Sequence, residues 1–180
     1  MSVNLPIVCC DAEVTITGDA KINFGNGCII HPKAKIIADE GCNITFGEYN
    51  IIEENVQIKA VTKFSSVLNS KSPVNIYIGN YNHFKIGCIL ENTSLENYNI
   101  VEYRVEAEDC HIESNCIITP LVKLPKKLSI KNNTVILNSN LSVTNTNMKE
   151  SEVKKNIKDM YMLISSLFKK HNIKTHNMLK

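Results

Sequence analysis

Large aliphatic or aromatic residues return every six positions along much of this 180-residue chain, a spacing that few architectures accommodate. One run is Phe24, Ile30 and Ile36, and a second, after four extra residues, is Phe46, Ile52 and Ile58. A third is Ile78, Phe84 and Leu90, and the last is Ile112, Ile118, Leu124, Ile130 and Ile136. Four residues after many of these stands something small or β-branched: Cys28, Ala34, Val56, Cys88, Cys116, Val122 and Thr134. Neither the helical period of 3.6 nor a plain two-residue alternation produces such a double comb.

One short strand plus one corner accounts for a six-residue unit. Three units close a triangular coil of about eighteen residues, and successive coils stack through parallel ladders. The first position points inward as an aliphatic column, and the fifth, near the corner, wants a small side chain. Corners favour residues that tolerate unusual backbone conformations. Gly18-Asp19, Gly25-Asn26-Gly27, Gly47, Asn80, Asn97, Asn99 and Asn132-Asn133 are placed accordingly.

Interruptions of the comb locate departures from the coil. Ile22 and Asn23 read as a two-residue extension, and residues 42–45 as a small outward bulge. Residues 60–75 are polar with Ser, Lys and Pro, and read as an exposed loop. The register slips by about one residue near 90–95 and near 107–112. From Met148 the period becomes helical: Val153, Ile157, Met160, Tyr161, Ile164 and Phe168 share one face, with Lys154, Lys155, Lys158 and Lys169 on others. The expected organisation is a β-helix over 1–147, an α-helix over 148–172 packed lengthwise on it, and a flexible tail over 173–180.

Composition narrows the partners. Residues 149–180 hold eight Lys against three acidic residues, while the whole chain is only +2, so the body is mildly acidic. No aromatic residues interleave with a basic stripe, so no nucleic-acid partner is expected. The start, Met1 to Val14, has neither a basic region nor a long apolar run, and no membrane insertion is expected. Seven Cys without Cys-x-x-Cys spacing argue for reduced thiols in a cytoplasmic protein.

The segment from Ile29 to Ile58 resembles the dynactin subunit 6 family. Ile30-His31-Pro32-Lys33-Ala34-Lys35-Ile36-Ile37-Ala38 and Gly47-Glu48-Tyr49-Asn50-Ile51-Ile52-Glu53-Glu54 are similar to stretches that the family carries. Ile78-Gly79-Asn80 through Phe84 and Gly87-Cys88 resemble a third, and Ile130 to Ile136 the family's final coil. The resemblance implies an all-β fold, a left-handed parallel β-helix of hexapeptide repeats with a C-terminal α-helix. It also implies a non-catalytic subunit of the dynactin pointed-end complex that pairs with dynactin subunit 5. Near it would lie the pointed-end actin-related protein and subunit 4, in a cytoplasmic, cytoskeleton-associated assembly that helps dynein recruit cargo and adaptors.

Hexapeptide β-helices also include acyltransferases and γ-class carbonic anhydrases, so the chemistry needs testing. Three imidazoles must converge on one zinc, leaving a position open for water. His31, His83 and His111 occupy the second, sixth and fifth positions of their units, which gives them different directions. An acyltransferase needs a His base beside an intersubunit groove, usually in a homotrimer, and a lone His does not supply it. Cys10, Cys28, Cys88 and Cys116 sit where a small buried hydrophobe is wanted, and Glu40, Glu53 and Glu54 read as outward charges on coils. No catalytic residue, metal or cofactor is therefore expected. The residues singled out are the core comb and the apolar helix face.

Overall fold

A computed structural model describes residues 7–8, 13–16, 19–65, 70–144 and 149–170. Its strands form a left-handed parallel β-helix with three walls. The first wall runs through Ile7–Val8, Ile29–Ile30, Ile51–Ile52, His83–Phe84, Ile100–Val101, Ile117–Ile118 and Thr134–Asn138. The second contains Glu13–Ile16, Lys35–Ala38, Gln57–Ala60, Ile89–Glu91 and Glu106–Glu108. The third contains Lys21–Asn23, Asn43–Phe46, Asn75–Ile78, Ser94–Leu95, His111–Ile112 and Ser129–Ile130.

Each wall contributes one inward column. Ile30, Ile52, Phe84, Ile118 and Ile136 line the first, and Ile36, Ile58, Leu90 and Leu124 the second, all nearly or wholly buried. Phe46, Ile78, Ile112 and Ile130 line the third, where the partly buried Phe24 stacks on Phe46 with ring centroids 4.7 Å apart. Cys28, Ala34, Cys42, Val56, Cys88, Cys110, Cys116 and Val122 fill the tapering corners. Cys10 lies outside the described residues.

Coil length is not uniform. Ile29 pairs with Ile51, a repeat of 22 residues, whereas His83 pairs with Ile100 and Ile100 with Ile117, a repeat of 17. Residues 42–45 are thus no bulge: Asn43–Phe46 is a strand whose Ile44 is fully buried and pairs with Ile22. Ile22 likewise belongs to a strand and is 3% exposed, so the two-residue extension at Ile22-Asn23 lies within the coil and does not leave it. Two strands each gain two residues, and an even insertion keeps the in-out alternation, so Ala38 and Ile44 join the core. In the later coils Leu90 and Leu95 are separated by a corner one residue shorter, with Asn92 and Asp109 at φ of 48° and 57°.

Residues 60–75 leave the coil after Ala60 and return at Asn75, forming an antiparallel hairpin of Lys63–Ser65 with Ser70–Ser72. The hairpin folds over the following coils: Lys63 Nζ lies 2.6 Å from Asp109 Oδ1, and Val61 N–H donates to Asn92 Oδ1. At the far end Leu141–Thr144 turns back antiparallel on Thr134–Asn138 and closes the first wall. Helix α1 then spans Glu150–Lys170.

Candidate interaction site

The dipeptide Tyr-Asn occurs at 49–50, 81–82 and 98–99, each time two residues before an inward residue of the first wall: Ile52, Phe84 and Val101. In each pair the tyrosine takes the corner, with φ of 55°, 56° and 61°, and the asparagine turns into the core. A left-handed conformation costs a residue with a Cβ roughly 1–2 kcal/mol. Packing offsets that cost here. The Tyr49 and Tyr81 rings stack at 5.3 Å and those of Tyr81 and Tyr98 at 5.5 Å. Gly27 holds the equivalent corner one coil earlier, where a Cβ would come within 2.6 Å of the Tyr49 ring.

Asn50, Asn82 and Asn99 are buried in a slot that otherwise holds Cys28 and Cys116. Each side-chain carbonyl accepts the backbone N–H one coil on: Asn82 N–H to Asn50, Asn99 N–H to Asn82, and Cys116 N–H to Asn99, at 2.8–3.0 Å. The Asn50 and Asn82 amides donate to the carbonyls of Gly79 and Glu96, both at 2.8 Å. Asn99 is therefore a ladder residue, while its neighbour Tyr98 makes the corner. Asn80, Asn97 and Asn132 are acceptors too, for the N–H groups of Glu48, Asn80 and Ser114.

Helix α1 lies on this tyrosine corner. Val153, Ile157 and Tyr161 are buried with Ile29, Ile51 and Tyr81, and Met160 and Ile164 pack beside them. Tyr161 meets Tyr49 edge-on at 5.5 Å, and Lys154 and Lys158 place their ammonium groups 5.3 and 5.4 Å from the Tyr81 and Tyr49 ring centres. Burial pushes the Tyr81 and Tyr161 phenols above their ordinary range, Lys154 opposing the shift at Tyr81. The Phe168 side chain lies outside those described. Met162, Leu163 and Leu167 face solvent.

His31, His83 and His111 each face a different carboxylate. His31 Nδ1 lies 3.0 Å from Glu54 Oε1, His83 Nε2 2.6 Å from Glu53 Oε1, and His111 Nε2 3.9 Å from Glu96 Oε1. Burial alone would raise Glu53, but the His83 hydrogen bond and charge, the Ile86 N–H and the His31 charge together hold its pKa below 4.5. Among the described residues no three His, Cys, Asp or Glu side chains gather as a metal site would need. Burial pushes the Cys28 and Cys88 thiols up to about 11, so neither is a ready nucleophile at neutral pH. No described helix is long and apolar enough to cross a membrane.

Dynactin subunit 6 of Danio rerio is 31% identical over 138 residues, which span 74% of this chain and 67% of that protein. The chain belongs to the dynactin subunit 6 family. Its Dictyostelium discoideum relative is 29% identical over 155 residues, 80% of this chain and 71% of that one, and its Nematostella vectensis relative 29% over 134 residues, 72% and 69%. No protein-family profile matches the chain. A hexapeptide transferase family protein from Anaplasma phagocytophilum superposes with a TM-score of 0.54 over 84% of this chain and 94% of that one, at 13% identity. At that identity the family member and the transferase share a fold, and nothing about activity follows.

Proposed function

We propose that this chain is a non-catalytic subunit of the dynactin pointed-end complex that pairs with dynactin subunit 5. In that role it serves dynein in recruiting cargo and adaptors, cytoplasmic and associated with the cytoskeleton, close to the pointed-end actin-related protein and subunit 4. The observation that carries the reading is the 31% identity to a dynactin subunit 6 along 138 residues. The geometry is compatible with it: the walls of the β-helix and the hairpin of Lys63–Ser65 with Ser70–Ser72 offer regular surface.

The test is co-expression with dynactin subunit 5 of the same organism, followed by size-exclusion chromatography with light scattering. A one-to-one complex is expected. A homotrimer that ignores subunit 5 would overturn the reading in favour of a hexapeptide acyltransferase, because the active grooves of such enzymes lie between subunits.

A further inference from the structure

The C-terminal end of the β-helix is closed on one wall and open on another. On the first wall, Leu141–Thr144 occupies the place where another coil's strand would add. On the third wall, Ser129–Ile130 pairs with His111–Ile112 on one side, and no strand among the described residues lies beyond it. His111 and Glu113 donate to the carbonyls of Leu128 and Ile130, so Ile130 faces the preceding coil and the N–H groups of Ser129 and Lys131 point out of the end. Neither has a partner among the described residues. Between this edge and the returning hairpin lies a cleft of about 340 Å³, with Leu128, Ile130 and Ile136 as its apolar floor and Asn138 to Ser142 as its far wall.

The charged residues that the last coil itself contributes have one sign. Residues 114–149 hold Lys123, Lys126, Lys127, Lys131 and Lys149 and not a single Asp or Glu, whereas residues 91–113 hold seven acidic residues and one Arg. Three of these lysines reach back to the preceding coil, at 2.9 Å to Glu106, 2.6 Å to Glu108 and 2.7 Å to Glu113, while their side chains stay 65–76% exposed. Lys127 is exposed and makes no ion pair among the described residues.

We propose that this cleft binds one extended, acid-flanked segment of a partner polypeptide, which adds as a parallel strand to Ser129–Ile130. Its backbone carbonyls accept the outward N–H groups, an apolar side chain enters the cleft, and its carboxylates meet the lysine rim. A complete second β-helix stacked end to end is disfavoured, since the hairpin stands where its first wall would dock. Helix α1 supplies no competitor: Lys154 lies over Tyr81 and Tyr161 against Tyr49, so α1 runs towards the opposite end of the coils. The inference does not rest on pairing with subunit 5.

The experiment uses the full chain and two labelled eight-residue peptides, each with a core alternating Val and Thr, one flanked by Asp and the other by Lys. Fluorescence anisotropy at low salt gives affinity, and amide chemical shifts give location. The Asp-flanked peptide is expected to bind at least ten-fold tighter, with shifts concentrated at Leu128 to Lys131 and Asn138 to Ser142. Ser129→Pro removes an outward N–H, a change that an edge strand tolerates, and Lys127→Glu alters only the rim. Each is expected to weaken binding about ten-fold with an unchanged Tm. Equal binding of both peptides, no saturable binding, shifts elsewhere, or variants that bind as the parent does would overturn the proposal.

Discussion

The early and late coils solve the same stacking problem with different materials. The 22-residue coil from Ile29 to Ile51 has four-residue strands on the second and third walls, each with two inward side chains, Ile36 with Ala38 and Ile44 with Phe46. The early coils also have an apolar outer stripe, Ile29 and Ile51, covered by α1. The 17-residue coils keep strands of two or three residues and one inward residue per wall: Val101, Ala107 and Ile112. What they add is axial polar bonding, from the asparagine ladder to Lys–Glu pairs such as Lys85–Glu102 at 2.7 Å. A narrow coil buries less apolar area, so satisfied polar ladders take a larger share in holding it to its neighbours.

The sharpest way to test that division is to remove an amide from the ladder where wide coils meet narrow ones. Asn82→Ala leaves the Asn99 N–H and the Glu96 carbonyl without their partner in a buried corner. At about 1–3 kcal/mol for each orphaned group, a loss of roughly 3 kcal/mol is expected in urea unfolding. Asn75, which accepts from Asn43 on the exposed face of the third wall, is expected to cost under about 1 kcal/mol when changed to Ala, since water can reach the amide left behind. Equal costs at the two positions would mean that the ladder does not depend on burial.

The helix tests the wide half. Tyr81→Ala removes a ring buried together with Val153, Ile157 and Tyr161 of α1, at about 1.5–3 kcal/mol for a fully buried large side chain, and a cation–π contact with Lys154 at about 0.5–1 kcal/mol. A loss of about 2–3 kcal/mol in the docking of α1 follows. Amide exchange within Glu150–Lys170 is expected to accelerate by at least ten-fold while that of Gln57–Ala60 stays slow. Tyr103, whose exposed ring lies under Lys85 at 5.1 Å, is the control. If Tyr103→Ala loosened α1 as much as Tyr81→Ala does, the tyrosine corner would not be the helix's seat.

Much of this was legible in the sequence, and what was missed has a physical pattern. The comb pointed to the β-helix because a six-residue period suits this kind of coil, and the slips near 90–95 and 107–112 are the shortened corners at Asn92 and Asp109. The four extra residues near 42–45 looked like an outward bulge because counting residues does not reveal that they divide evenly between two strands. Asn50, Asn82 and Asn99 were missed as a buried series because an amide in a small-residue slot reads as loop chemistry until its hydrogen bonds are seen. The tyrosines were hidden for the opposite reason. Propensity argues against tyrosine at positive φ, and only the ring stack and α1 make it favourable. The thrice-repeated Tyr-Asn dipeptide, always two residues before an inward residue, was the signal available for both.

The smallest effect expected is that of an ion pair across the junction between the two halves. Glu53, on a wide coil, faces His83 on the next coil and takes a second bond from the Ile86 N–H, whereas Glu106 and Lys123 form an exposed pair on a late coil. The folded pKa of Glu53 is depressed, so its stabilisation is fully present above the ordinary carboxylate pKa of 4.5 and is lost as pH falls below it, through the lower folded value. Glu53→Gln should cost about 1–2 kcal/mol at neutral pH, in line with a hydrogen bond to a partly buried charged group. In acid the variant and the parent should converge, because the parent has by then neutralised the same carboxylate. Urea midpoints followed from pH 7 to pH 3 test this directly. Glu106→Gln, exposed and screened, should leave the midpoint nearly unchanged throughout. A gap between Glu53→Gln and the parent that persisted undiminished at pH 3 would mean that shape, not charge, is what Glu53 contributes at the junction.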